Sequence, residues 1–150
     1  MRQRVFVLAL TGLFVAGAIT ARASGGFQAA SAAQALGSVT IPHAVMADGK
    51  TLAAGTYTVR LTNDIPQGVV GQNPEAEKWV EFVQGATVKG REVASIISKD
   101  DIGKIAKGAR PAAGADLVEM LVGNEYLRVW INKGGTNYLI HLRNPATKKK

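Results

Sequence analysis

Residues 116–143, DLVEMLVGNEYLRVWINKGGTNYLIHLR, carry the reading that decides the fold. Gly123-Asn124 and Gly134-Gly135 are two-residue turn signals, because both central positions of such hairpin turns favour φ > 0. Each lies between apolar and β-branched runs. A turn of known length sets strand register by counting, and a slip of one residue sends every side chain to the other face. The first turn predicts Val118 opposite Val129 and Met120 opposite Leu127. The second predicts Val129 opposite Ile140, Leu127 opposite Leu142 and Ile131 opposite Tyr138. Both turns gather the same set, so these residues form one apolar face of a three-stranded meander.

The opposite face follows. It places Glu119, Arg128 and His141 in one row across three strands, with Leu117, Trp130 and Leu139 in the next row and Tyr126 and Leu121 beyond. This half-apolar face has two readings. Tyr126 and Trp130 form a stacking platform for sugar or peptide, with Arg128 orienting a carbonyl or anionic group through its planar fork; or a long loop covers them. The second is the plainer account. The Glu119–Arg128–His141 row is likewise explained by cross-strand charge pairing, and it lacks an adjacent nucleophile. Tyr126, Arg128, Trp130, Glu119 and His141 are nonetheless the candidate binding residues of this chain.

Upstream, the texture is also that of strands and turns. Residues 39–45 (VTIPHAV) alternate, with Val39, Ile41, His43 and Val45 on one side, and Pro42 marks the strand as an edge or bulged one. His43 reads as a half-buried histidine rather than a ligand. Asp48-Gly49 is another hairpin turn, and residues 56–62 alternate, with Tyr57, Val59 and Leu61 inward. Residues 79–84 and 88–98 are two further strands. Residues 63–77 and 99–115 are long loops, the second with Asp100-Asp101 able to cap one helical turn through Ile105. About seven strands predict an all-β fold: a single antiparallel β-sandwich over residues 38–143, of immunoglobulin or transthyretin-like type, with a small open barrel as the other solution.

The stretch DGKTLAAGTYTVRL (residues 48–61) resembles the G-K-x-L-x-x-G-T-Y-x-V hairpin of secreted bacterial β-sandwiches, including transthyretin-like and carboxypeptidase-regulatory-like modules. Those families often carry proline where this chain has Ala53. Residues 127–142 resemble the close of an uncharacterised family of small secreted proteins. Both resemblances imply a fold element and bring no catalytic residues. Tyr57 offers an apolar body with a hydroxyl that reaches backbone.

Composition bounds the chemistry. The 150 residues include no cysteine, which excludes disulfides, thiolate metal sites, cysteine nucleophiles and lipid attachment through cysteine. Two histidines leave little for a metal cage, and an Asp100, Asp101 and Asp116 calcium set is better read as solvated acids; no metal and no cofactor is expected. There is no G-x-S-x-G, H-E-x-x-H, P-loop or G-x-G-x-x-G pattern. No enzymatic activity is expected.

Residues 1–23 have the parts of a secretory signal: Arg2 and Arg4, an uncharged apolar run over residues 5–19, and Ala21-Arg22-Ala23 before Ser24. The run falls short of the roughly 20 residues of a spanning helix; the rival reading is an uncleaved anchor. Cleavage predicts a periplasmic or extracellular bacterial protein with no integral membrane span. Residues 24–37 are Ala/Ser/Gly-rich and read as a flexible lead, and residues 144–150 as a basic tail. Removing Arg2, Arg4 and Arg22 from the 18 Lys and Arg leaves 15 against 11 acids, and Lys148, Lys149 and Lys150 are three of those. The body is therefore near neutral, and nucleic acid is not an expected partner. The expected function is a non-enzymatic secreted binding or structural module, whose partner is a protein or an envelope polymer. The alternatives are a strand-pairing assembly subunit of an envelope structure and an accessory subunit of a hydrolase.

Overall fold

The computed structural model describes residues 33–68 and 73–147. The expected signal segment and Lys148, Lys149 and Lys150 lie outside the described residues. Nine strands occur in chain order: β1 (Gln34–Ile41), β2 (Val45–Ala47), β3 (Lys50–Leu52), β4 (Gly55–Leu61), β5 (Glu77–Gln84), β6 (Thr87–Ile97), β7 (Asp116–Met120), β8 (Tyr126–Lys133) and β9 (Thr136–Arg143). A 3-10 turn at Pro74–Ala76 precedes β5, and the helical turn α1 (Ile102–Ile105) follows β6.

The meander has the register that counting predicts. Val118 pairs with Val129, Glu119 with Arg128, Arg128 with His141, and Ile131 with Tyr138. Gly134 and Gly135 take φ of 62° and 92° and form the expected two-residue turn. The turn at Gly123-Asn124 is longer than expected. Leu121 pairs with Tyr126 through a backbone N–H···O bond, and Asn124 N donates to Leu121 O. A four-residue loop preserves the register of a two-residue one because it adds one residue to each arm.

The first strand begins at Gln34, inside the expected lead. A bulge between Ala35 and Gly37 accompanies the burial of Leu36 there. Pro42 splits residues 39–45 between β1 and β2, since a proline donates nothing to a ladder, yet Ile41 and Val45 both stay buried. The Asp48-Gly49 turn forms as expected, with Ala47 opposite Lys50 and φ of 45° and 74°. Between β5 and β6 a two-residue turn sets Gln84 opposite Thr87, and a bulge then brings Glu81 opposite Arg91.

The architecture is all-β and antiparallel as expected, with nine strands rather than about seven. All nine strands join one antiparallel sheet that is nearly barrel-shaped. The ladder runs β1-β4-β5-β6-β9 and continues through β8 to β7, while Met46 of β2 pairs with Arg143 at the far end of β9. Two separate sheets are not formed because β9 bonds β6 on one edge and β8 on the other. β1 then lies alongside β7 and β8 without a ladder between them, and Lys133 Nζ donates across this seam to Ala35 O.

The interior holds Val39, Ile41, Tyr57, Val59, Val80, Phe82, Val129, Ile140 and Leu142, with Val118 and Met120 packed at its margin. Tyr57 meets Phe82 edge-on, ring centres 6.2 Å apart, and its hydroxyl donates to Ala53 O at 2.8 Å. The β2–β3 hairpin closes one mouth by pressing on β6 at Gly90. A Cβ there would stand 3.3 Å from Leu52 Cδ1 and 3.4 Å from the Ala47 methyl group. Gly90→Val is therefore expected to push the hairpin off the core and to cost about 1–3 kcal/mol, as overpacking does. Chemical denaturation measures the loss, and unchanged stability would show that the hairpin is not seated there.

Candidate functional site

Alternation along β7, β8 and β9 sends Glu119, Arg128, Trp130, Leu139 and His141 to the outer face of the sheet. Glu119 and Arg128 pair directly: Glu119 Oε1 accepts from Arg128 Nε at 3.0 Å and also from its terminal nitrogen. The Arg128 carbon at the guanidinium centre lies 5.2 Å from the centre of the Trp130 ring, within cation–π range. With only 13% of its side chain exposed, Arg128 is occupied by its carboxylate and its indole.

Trp130 is fully buried. Ile97, Ile102, Ala106 and Leu139 enclose it, with Leu117 at the margin. Ile102 and Ala106 belong to the 99–115 loop, so the loop forms a lid and the half-apolar face is a second, smaller core. The indole N–H donates to Asn137 Oδ1 at 2.8 Å. Asn137 is the one buried polar residue among those described, and its amide donates in turn to Gly135 O at 3.1 Å. Pro111 O accepts from Asn132 Nδ2, and Gly114 N donates to Asn132 O, which ties the end of the lid to β8. The stacking platform of Tyr126, Arg128 and Trp130 is thus not available as a surface. Tyr126 alone is exposed, and it stands at the start of β8 opposite Arg143.

His141 closes the Glu119–Arg128 row and also lines an open cleft of about 480 Å³. The lid creates this cleft. Asp101 holds the N-cap position of α1 without a side-chain capping bond, while Ser98 O accepts the N–H of Ile102 and Ser98 Oγ accepts the N–H of Asp101 at 3.2 Å. Asp101 turns its carboxylate outward to Ser98 Oγ at 2.7 Å and to Lys104 Nζ at 2.9 Å. Ile97, Leu139 and Ile105 supply the apolar lining, while Glu77, Ser95, Asp101, Lys104 and His141 supply polar groups.

The Lys104 ammonium, and then the Ser98 hydroxyl, hold the Asp101 carboxyl below the usual carboxylate range, and Asp101 raises Lys104 in return. Desolvation, followed by the Arg128 charge, lowers the His141 imidazole below its ordinary 6.5. It is therefore mostly neutral at pH 7, able to donate at one nitrogen and accept at the other. Glu77 makes no ion pair among the described residues. Ser98 donates its hydroxyl to Asp101 rather than to His141.

Of the residues singled out by sequence, Glu119, Arg128, Trp130 and His141 come together and Tyr126 stands apart. Asn137, Ser98, Glu77 and Lys104 were not singled out. Alternation alone could have marked Asn137, a polar residue directly across a strand pair from Asn132. Glu77 reaches the cleft by pairing with Ser95 in the register that sets Glu81 opposite Arg91. His43, on the far side of Pro42, has an Nε2 shielded from solvent without a hydrogen-bond partner among the described residues. No protein-family model, curated protein or solved structure matches the chain.

Removing the indole should collapse the second core. Trp130→Ala is expected to cost about 3–5 kcal/mol in urea denaturation; a loss under 1 kcal/mol would mean that the lid does not depend on the ring. The His141 shift has a definite sign. The folded ring holds its proton less tightly than the unfolded one, so its contribution to stability is full above 6.5 and is lost as pH falls through 6.5 toward the lower folded value. An NMR titration should place the His141 midpoint below 6.5, and His141→Gln should flatten the acid-side stability profile; a midpoint at or above 6.5 would contradict the assignment.

Proposed function

We propose that the protein is a non-enzymatic, exported bacterial binding module that takes a short amphipathic ligand in the cleft between the lid and His141. The cleft carries this reading. Its apolar lining of Ile97, Leu139 and Ile105 suits an aliphatic segment. With Lys104 held by Asp101 and Glu77 without an ion pair among the described residues, the polar side suits a donor or positively charged end. Concave, mostly apolar sites with a few placed polar groups are the usual form of small-ligand sites. Arg2, Arg4, the apolar run and Ala21-Arg22-Ala23 support export, as does the likeness of residues 48–61 to hairpins of secreted β-modules.

The strand-pairing alternative rests on the seam, where the free edges of β1 and β7 face each other without a ladder. Unpaired edges can accept a strand from another chain. One experiment separates the two readings. Two-dimensional ¹H–¹⁵N spectra are recorded while the exported protein is titrated with short aliphatic amines and, in parallel, short aliphatic carboxylates. The cleft reading expects saturable shifts confined to residues 95–105 and 139–141, stronger with the amines. No localised shift with either series removes it. Concentration-dependent broadening along β1 and β7 instead supports strand pairing.

A further inference from the structure

Asp101 holds its carboxylate in a position that the helical turn does not need. It occupies the N-cap of α1 with φ of −93° and ψ of −21° and gives the turn no side-chain capping bond, although capping is what an aspartate there ordinarily supplies. It lines the cleft instead. Ser98 fixes the carboxylate, its hydroxyl donating to Asp101 Oδ2 at 2.7 Å while accepting the Asp101 N–H at 3.2 Å. The other oxygen, Oδ1, accepts from Lys104 Nζ at 2.9 Å. Ser98 and Lys104 line the cleft as well, with Ile105 beside them.

The Lys104–Asp101 pair is not what seats the lid. Ile102 N donates to Ser98 O at 3.1 Å, Lys104 N to Asp101 O at 2.9 Å and Ala106 N to Ile102 O at 2.9 Å. The side chains of Ile102 and Ala106 are buried in the second core. The two charged side chains are 77% and 53% exposed, and a pair this open to water holds weakly. Lys104 is therefore free to leave Asp101 by rotating its own side chain, with α1 in place and Ser98 still orienting the carboxylate. What Lys104 presents to Asp101 is a primary ammonium on a four-carbon stem, the same combination of donor and aliphatic body that suits the cleft. Glu77, the second carboxylate of the lining, makes no ion pair among the described residues and attracts a further cation to the same place.

We propose, resting on the reading of the cleft as the ligand site, that Lys104 is a resident competitor for the ligand's cationic end. A primary ammonium on an aliphatic stem, drawn in by Glu77, takes the place of the Lys104 ammonium on Asp101, and Lys104 swings into solvent. A quaternary ammonium has no N–H to give Oδ1 and is a poor substitute.

The test repeats the ¹H–¹⁵N titration with n-pentylamine and, in parallel, pentyltrimethylammonium, at one ionic strength. Lys104→Met and Asp101→Asn are compared with the parent and with Lys107→Met, which removes an equal charge from an exposed position outside the cleft lining. Lys104→Met should tighten pentylamine binding about three- to fivefold, the scale of one exposed ion pair, whereas Lys107→Met should change it less than about 1.5-fold. Asp101→Asn should weaken it about fivefold or more, and the trimethylammonium compound should bind the parent weaker than the amine by a similar factor, since each loses a charge-assisted hydrogen bond. As amine is added to the parent, the ¹³C–¹H signals of the Lys104 ε-methylene should move toward their position in Asp101→Asn. Equal tightening in Lys104→Met and Lys107→Met would reveal a general charge effect and overturn the proposal. Pentylamine shifts in the parent that Lys104→Met leaves no tighter would overturn it too; in both cases the cleft reading stands. No localised shift in either the parent or Lys104→Met removes the cleft reading and the proposal with it.

Discussion

From Asn137 to Ile140, β9 is buried on both faces and bonded on both edges, and the rest of the fold is arranged around that constraint. Tyr138 and Ile140 enter the barrel interior, while Asn137 and Leu139 face the second core under the lid. A strand in that position leaves no backbone group for water, so β6 and β8 must flank it throughout. Joining those neighbours through one strand makes a single sheet, and the right-handed twist of strands then curls it toward closure. Bulges in β1 and β6 add local bending.

The lid is a consequence of the same burial. An outer face carrying Leu117, Trp130 and Leu139 is too apolar to be left to water, and Ile102 and Ala106 cover it. An indole enclosed this way must find a partner for its N–H, because an unpaired buried donor is costly; Asn137 supplies it from the neighbouring strand. Covering Trp130 also withdraws Arg128 from solvent. The candidate site therefore moves sideways, to the gap that the lid leaves beside His141 and the starts of β5 and α1.

Legibility followed the length of the connections. The Glu119–Arg128–His141 row could be read because two short turns transmit register without ambiguity, and the loop at residues 122–125 kept that register although it is longer than a two-residue turn. The cleft could not be read, since Glu77 and Lys104 approach His141 only after two long loops have been placed. In such loops no periodicity constrains where a side chain ends. The role of Ser98 was hidden for a smaller reason: Asp100-Asp101 has the composition of a cap, yet the Lys104 ammonium draws the Asp101 carboxylate away from the backbone.

By itself the sequence determined the all-β class, the meander and its two faces, the Asp48-Gly49 hairpin and the inward set of β4. All of these rest on period-two alternation and turns with φ > 0, which are local properties of the chain. Tertiary structure alone decided whether the strands form two layers or one curled sheet, because that depends on which edges of β9 and β1 find partners. It also decided that Trp130 is core rather than surface. Burial is a sum over residues distant in sequence, and only the curled sheet with its lid brings those residues together.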